Sequence, residues 1–454
     1  MSSLIEDVCD LLDSYNGRDK VVRLACYTCK LYGCIQDEKP WQTAGSRLSS
    51  ARMMLRLFDD IPMIRHTYNY GLGRHEATTT AAFLGVLANI VDQAFLPVEK
   101  ACWLYDVGVL KLSDDAAYKL ETFSTALWAA SLFISLIQTS RSMRKLWWSR
   151  ECLQRASEDG GADAKKNLDV RLALEAIVTG KLCLDITHAV SCLPAGWLWG
   201  EQIGSTKVAA IATTSSVIGI AMYFAKKRLL KTRGTMSAAV NELCDLLQAH
   251  ANRDKVVNVV CYSLKLWGAT ANRQELMTAS VRLAAARASL RLFDDAIVLK
   301  TALSYGLGTQ DGPFWGTLGV VGSTFTLAYL QLEKVTWLID TGVITVSKEV
   351  DFKVKAAHKL FWSLSAFVGF IRSLRSLHST ANALKHPEPT KCAPARFTQA
   401  SLTTTKLLLD TIHAVSWLPP GWLWGSALTT KQASIIATTS AVLGLVVHYH
   451  GKRF

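Results

Sequence analysis

The chain has 454 residues, half of them apolar, and a formal net charge of +13. Charged residues make up 19%, below the roughly 25% of ordinary soluble domains. A sparse but positive charge suits a protein held in or on an anionic membrane surface, and equally a nucleic-acid binder, so charge alone excludes neither.

The opening residues, MSSLIEDVCDLLDSYNGRDK, are acidic and lack a basic n-region and a long apolar run. Neither a secretory signal nor a mitochondrial transit peptide is expected, and the terminal Gly-Lys-Arg-Phe is not a peroxisomal matrix address. Leu4, Ile5, Val8, Leu11 and Leu12 recur at helical spacing over 4–15, and a second helix is predicted over 21–31. Pro40 and Gly45 are expected to punctuate the chain before a third helix over 46–60, and Tyr70-Gly71-Leu72-Gly73 reads as a turn. The run 81–95 is apolar but carries Asn89, Asp92 and Gln93, which predicts packing against protein rather than lipid.

The apolar run 123–137 has 15 residues, short for a crossing that needs about 20. Arg141, Arg144 and Lys145 follow it. Residues 208–224 contain no charge and give way to Lys226, Lys227, Arg228, Lys231 and Arg233; residues 433–449 also contain none and end at Lys452-Arg453. Apolar runs that stop at a basic cluster fit membrane segments with that end in the cytosol. Buried core helices of a soluble bundle are the competing reading.

The 46–60 segment has the clearest amphipathic pattern. At ~100° per residue, Leu48, Ala51, Met54, Leu55 and Phe58 fall within an arc of ~120°. Arg52, Arg56, Ser49 and Asp59 lie opposite, while Arg47 falls among the apolar residues. The same pattern returns with Arg282, Leu283, Ala286, Arg287, Leu290, Arg291 and Phe293, Ser289 replacing Met54. Such a helix can lie among lipid headgroups with its apolar face in the acyl chains, or bury that face in the protein.

That recurrence is part of a duplication of the whole chain. Arg18-Asp19-Lys20-Val21-Val22, Arg56-Leu57-Phe58-Asp59-Asp60 and Tyr70-Gly71-Leu72-Gly73 all return 235 residues later. Trp103 and Trp128 return 234 residues later, as Trp337 and Trp362. The late block, with His188-Ala189-Val190 and Gly196-Trp197-Leu198-Trp199-Gly200, returns at an offset of 225 as His413-Ala414-Val415 and Gly421-Trp422-Leu423-Trp424-Gly425. The shortening falls near the polar stretch 150–166, where a surface loop is expected. The expected organisation is all-α: two tandem helical-bundle repeats, 1–234 and 235–454, with membrane-embedded apolar helices.

No catalytic constellation, cofactor motif or metal site is expected. Cys26-x-x-Cys29 is matched by Cys261 and Leu264 in the second repeat and lacks partner ligands at zinc spacing; these thiols are read as reduced and buried. Asp185 and His188, repeated as Asp410 and His413, supply two ligands where zinc sites use three or four, and are read as a hydrogen-bonded structural pair. Asp59-Asp60 and Asp294-Asp295 are expected to end a helix or to pair with Arg56 and Arg291. The Gly-Trp-Leu-Trp-Gly segments read as interfacial anchors or as turns packed on the bundle.

Arg-Leu-Phe-Asp-Asp, Tyr-Gly-Leu-Gly, the early Tyr-x-Gly-Arg-Asp-Lys and the late His-Ala-Val-x-x-Leu-Pro-x-Gly-x-Leu-Trp block together resemble the peroxin eleven family, most closely its gamma type, through nearly the whole of each repeat. The resemblance implies a peroxisomal membrane protein with cytosolic termini that elongates the membrane, self-associates and recruits the fission machinery. It also implies that a remodelling amphipathic helix maps onto 47–58 and 282–293, in contact with anionic phospholipid. The family's usual member is a single copy, so the duplication suggests a fused pair of repeats. A pore or solute carrier of the same membrane is the second reading, its polar lining limited to Thr213, Thr214, Ser215, Ser216 and their counterparts. Nucleic-acid binding would rest on net charge alone and is not expected.

Overall fold

The computed structural model describes residues 3–156, 162–229, 249–385 and 392–453. Among these residues the chain is all-α, with fifteen α-helices, one short 3₁₀ turn and a single isolated bridge between Ser14 and Ala249. The expected loop at Glu158-Asp159-Gly160-Gly161, the join near 233–235, Lys231, Arg233 and the side chains of Lys226, Lys227, Arg228 and Arg453 lie outside the described residues.

The first eight helices are α1 (Ser3–Asp13), α2 (Tyr15–Ile35), α3 (Lys39–Arg56), α4 (Asp60–Tyr70), α5 (Thr79–Asp106), α6 (Asp114–Ala156), α7 (Ala162–Ser191) and α8 (Ser205–Leu229). The next seven are α9 (His250–Ala271), α10 (Gln274–Arg291), α11 (Asp295–Tyr305), α12 (Pro313–Asp340), α13 (Lys348–Leu384), α14 (Ala393–Ser416) and α15 (Thr430–Arg453).

Two compact units form. One comprises Asp19–Leu247; the other comprises Met1–Arg18 together with Gln248–Phe454. The packing units and the sequence repeats are therefore different divisions of the chain, because residues 1–18 pack with the second repeat. In the Asp19–Leu247 unit, α4 packs on α5, α5 on α6, α6 on α7 and α7 on α8. The same succession holds for α11 to α15 in the other unit, where α9 also packs on α10 and α15.

The third helix differs from its prediction. It starts at Lys39 rather than 46 and ends at Arg56, leaving Phe58 in a turn. Pro40 and Gly45 do not punctuate it. Pro40 occupies the first turn, where its missing N–H has no helical partner to lose. Gly45 is the point where α3 touches α2: a Cβ there would lie 2.6 Å from Lys30 Cγ and 3.1 Å from the Cys26 carbonyl. Cys26 donates from Sγ to the Gly45 carbonyl at 3.2 Å, and Cys261 to the Ser280 carbonyl at 3.3 Å. Burial raises the pKa of both thiols. Burial, with Cys26 beside it, pushes Cys29 up to about 11.

The Tyr-Gly-Leu-Gly turns form as predicted, with Gly71 at φ +54° and Gly306 at +59°. Each preceding tyrosine folds back over a helical glycine: a Cβ on Gly85 or Gly319 would collide with the Tyr70 or Tyr305 ring. Helix α5 starts under a Thr78 cap that accepts from the Ala81 N–H, and α13 under a Ser347 cap that accepts from Val350. Between α6 and α7, Ala129, Ile186, Ala189, Val190 and Leu193 form a buried cluster with Trp128, Phe133 and Trp199 packed around it.

Candidate membrane interface and the polar centres behind it

Among the described residues four helices are long and apolar enough to cross a membrane: Thr79–Asp106, Asp114–Cys152, Ser205–Ala225 and Thr430–Lys452. At most 28% of their most apolar stretches is buried. Phe83, Ile90, Phe123, Ile137, Val217, Val442 and Val446 stand exposed on them. Apolar surface of this extent, left open by the protein, calls for a non-aqueous cover. Two expectations need correction here. The run 123–137 is not a short segment but part of the 43-residue α6. The run 81–95 belongs to the 28-residue α5. On one face of α5 Asn89 is buried, Asp92 accepts from Ser131 Oγ at 2.6 Å and Gln93 donates to Thr67 Oγ1 at 3.2 Å. Its other face is open and apolar.

The hydroxyls of Thr213, Thr214, Ser215 and Ser216 in α8 are bonded within the protein, whereas in α15 the buried Thr438 hydroxyl has no partner among the described residues. Thr213, Thr214 and Ser216 donate to the carbonyls of Ala209, Ala210 and Ala212, four residues back, at 2.7–2.9 Å. Such back-bonding lets a hydroxyl sit in an apolar surround without a further partner. Ser215 instead donates to Asp185 Oδ1 at 2.5 Å.

The amphipathic segments sit with their apolar faces covered by protein. Leu48, Ala51, Met54 and Leu55 are each at most 2% exposed; Leu283, Leu290 and Ala286 are buried as well. Fully burying a leucine contributes about 1.5–3 kcal/mol. Phe58 and Phe293 are half-buried, as is Arg47, while Arg282 is exposed. The remaining arginines face inward. Arg52 grips Asp19 through Nε at 2.9 Å, and Arg287 grips Asp254 through Nε at 2.7 Å and Nη2 at 2.8 Å. Arg56 pairs with Glu99, and Arg291 with Glu333, from Nε to Oε2 at 3.0 Å. Burial alone would raise the pKa of Asp19 and Asp254, but the bonded guanidinium outweighs it and holds both carboxyls below the usual range. The acidic doublets lie at the junction between two helices, one of the two expected placements; Asp60 pairs with Lys100, Asp295 with Lys334 and Asp294 with Arg18 rather than with Arg56 or Arg291.

A second polar centre lies in the late half of each repeat. Asp185 is held by Arg23 Nη2 and Lys181 Nζ, both at 2.5 Å, and by Ser215. Asp410 is held by Lys406 and Ser440. His188 and His413 do not bond to these carboxylates. His188 is pinned edge-on by Tyr27 and Trp128, with centroids 5.1 and 5.5 Å away; His413 is pinned by Tyr262 and Trp362 at 5.3 and 5.7 Å. Burial, with Arg23 adding to it at His188 and Lys265 at His413, brings both imidazoles down to about 4. Among the described residues no group of three potential metal ligands gathers.

These centres border a cavity in each unit, about 380 Å³ beside Arg23, Arg52, Arg56 and Trp128, and about 540 Å³ beside Asp254, Arg287, Arg291 and Trp362. Sequence reasoning missed them. The available signal was the return, in both repeats, of charged residues within apolar stretches.

The Gly-Trp-Leu-Trp-Gly segments are turns with one tryptophan tied down and one free. Trp199 Nε1 donates to the Thr187 carbonyl at 3.3 Å, and Trp424 Nε1 to the Ile412 carbonyl at 3.0 Å. Trp197 and Trp422 stand about half exposed. Leu198 and Leu423 are 64% and 79% exposed, at φ +53° and +52°. A leucine in the left-handed region costs about 1–2 kcal/mol, and here the strain presents an apolar side chain outward twice.

The fold and these surfaces define a duplicated helical protein whose open apolar helices suit a membrane. The description "Peroxisomal biogenesis factor 11 (PEX11)" belongs to a family profile that matches residues 5–224 and again 240–448. The chain therefore belongs to the PEX11 family, with two tandem copies of its domain. It is 30% identical to Peroxisomal membrane protein 11C of Homo sapiens over 225 residues, 46% of this chain and 90% of the relative. It is also 30% identical to the Mus musculus protein of that name over 232 residues, 48% of this chain and 92% of the relative. No solved structure matches.

Proposed function

We propose that this chain is an integral protein of the peroxisomal membrane, its termini in the cytosol, that elongates the membrane and promotes peroxisome proliferation and fission. The observation that carries the reading is the open apolar surface of the four span-length helices, in a chain of the PEX11 family. The proposed partners are anionic phospholipid, a paired repeat and the membrane-fission machinery. In this reading α3 and α10 reach lipid only by leaving the bundle. Acyl chains then replace the protein around Leu48, Ala51 and Leu55, and around Leu283, Ala286 and Leu290. Lipid phosphates replace Asp19 and Glu99 on Arg52 and Arg56, and Asp254 and Glu333 on Arg287 and Arg291.

The test is carbonate extraction of the protein from cells, with imaging of peroxisome number and length. Retention in the membrane with elongated or more numerous peroxisomes is expected. Release to the supernatant with unchanged peroxisomes would sink the reading. A peptide of residues 44–61 is expected to turn helical on small anionic vesicles, and a coil spectrum there would remove α3 from the mechanism. A solute carrier ranks second: each repeat has a polar cavity, but the arginines beside it are already matched by carboxylates.

A further inference from the structure

Asp185 and Asp410 hold the same position in the two repeats, yet one side chain is 4% exposed and the other 33%. In the first repeat Asp185 Oδ1 accepts from Arg23 Nη2 and Ser215 Oγ, both at 2.5 Å, and Oδ2 accepts from Lys181 Nζ at 2.5 Å. The Arg23 guanidinium also lies over the Tyr27 ring, 5.7 Å from its centroid. One cation thus takes a carboxylate oxygen and a ring face together.

The second repeat keeps this surround and changes the cation. Lys406 bonds Oδ2 of Asp410, Ser440 bonds Oδ1, and Tyr262 stands where the first repeat has Tyr27. Arg23 is replaced by Asn258, whose shorter side chain turns to Arg287 Nη1 rather than to the carboxylate. Asp410, Asn258, Tyr262, Trp362 and His413 line a cavity of about 540 Å³, against about 380 Å³ beside Arg23. Arg287 and Arg291 on its wall are matched by Asp254 and Glu333. Among the described residues no lysine or arginine lies over the Tyr262 ring.

We propose that this cavity binds a small organic cation, a guanidinium or primary alkylammonium, which pairs with Asp410 and covers the Tyr262 ring as Arg23 does with Asp185 and Tyr27. The first repeat is the template. There the same surround holds two cations on one carboxylate, one of them carried in from the chain itself. With asparagine at that place the receiving groups remain, and a free cation of the same shape meets them. The volume falls within the range of small-molecule sites. A planar guanidinium fork matches a carboxylate better than a single ammonium does, so the guanidinium binds more tightly. Because the first repeat supplies its own cation, occupancy is one per chain. The site stands whether or not the chain remodels membranes.

The test uses the full-length chain in detergent and propylguanidinium, which is an arginine side chain without its backbone. Titration calorimetry is expected to give one site per chain, with propylammonium binding more weakly. Asn258→Arg supplies the cation from within and is expected to abolish binding while the chain remains folded by circular dichroism. Asp410→Asn is expected to weaken binding roughly tenfold or more, through loss of a charged hydrogen bond. Arg23→Asn copies the second repeat into the first and is expected to raise the count to two. Binding that survives N258R, or a wild-type chain that takes up no propylguanidinium at millimolar concentration, would overturn the proposal. Uptake of acetate in its place would also overturn it, and would assign the cavity to anions through Lys255 and Lys406. A count that stays at one in a folded R23N chain would overturn the template.

Discussion

In the second repeat Ser289 accepts a bond from Trp337 Nε1 at 2.9 Å, whereas the first repeat has fully buried Met54 at that place. Arg23 of the first repeat, which holds Asp185, is replaced by Asn258, which accepts from Arg287 Nη1 at 2.5 Å instead. Cys192, four residues after His188, is replaced by Trp417, whose Nε1 lies 3.0 Å from His413 Nε2. Among the described residues the first repeat has three span-length helices and the second has one. Against these differences the two repeats keep the pairs Arg52–Asp19 and Arg56–Glu99 as Arg287–Asp254 and Arg291–Glu333, the same lysine–aspartate–serine cluster and the same histidine between two rings. Apolar surface can drift at nearly constant hydrophobicity. A buried charge cannot lose its partner without a cost of several kcal/mol; where Arg23 gives way to Asn258, Asp410 keeps Lys406 and Ser440 and its side chain is 33% exposed, against 4% for Asp185.

This comparison is most sharply tested at the arginine–aspartate pairs. Arg287→Ala is expected to destabilise the second repeat by roughly 2–3 kcal/mol, because it leaves the partly buried Asp254 without its bidentate partner. Arg52→Ala in the first repeat should cost less, since Arg287 makes a third bond to Asn258. Denaturant titration in detergent, followed by cysteine labelling within each repeat, measures both. An equal loss in the two repeats would show that the extra bond contributes nothing.

The histidines give an effect of similar size. Both rings are near 4 in the fold, against about 6.5 when unfolded. The fold therefore favours the neutral ring. The stabilisation is fully present above pH 6.5 and is lost as pH falls towards 4, amounting to roughly 3 kcal/mol per histidine. A stability-against-pH curve for H188Q and H413Q is expected to flatten in that window. An unchanged slope in H413Q alone would mean that the His413 ring is not held neutral by the fold, despite its burial and the bond from Trp417.

A smaller effect distinguishes Ser289 from Met54. Ser289→Ala leaves the buried Trp337 indole N–H without its acceptor, at about 1–3 kcal/mol. Met54→Ser in the first repeat supplies a hydroxyl at the place where the second repeat has one. A gain in stability there would show that the two repeats are interchangeable at this position.

Much of this architecture was legible in the sequence. The turn at Tyr70, the helices and the duplication follow from glycine placement, helical periodicity and exact recurrences. The apolar arc of 46–60 was also legible, but periodicity identifies a face and not what covers it. Protein and lipid satisfy Leu48 and Leu55 alike. The polar centres were not legible, because Arg56 and Glu99, or Arg23 and Asp185, meet only after the helices pack. Asp185 and His188 share a helix face, which suggested a bonded pair, yet each takes partners from other helices. The docking of residues 3–18 on the other repeat leaves no local mark at all, since its contacts join positions 235 to 287 apart.

The smallest expected change separates strain from function in the Gly-Trp-Leu-Trp-Gly turns. Leu198 and Leu423 hold a left-handed backbone that glycine adopts freely. If the turns serve only to connect helices, Leu198→Gly and Leu423→Gly each relieve strain and gain about 1 kcal/mol, with no other consequence. If the leucines and their exposed tryptophan neighbours enter the headgroup boundary, the same changes gain that stability and lose vesicle binding. Fluorescence of Trp197 and Trp422 on anionic vesicles reports the difference, because entry shifts the emission to the blue. A blue shift that survives both substitutions would assign the anchoring to the tryptophans and leave the strained leucines without a membrane role.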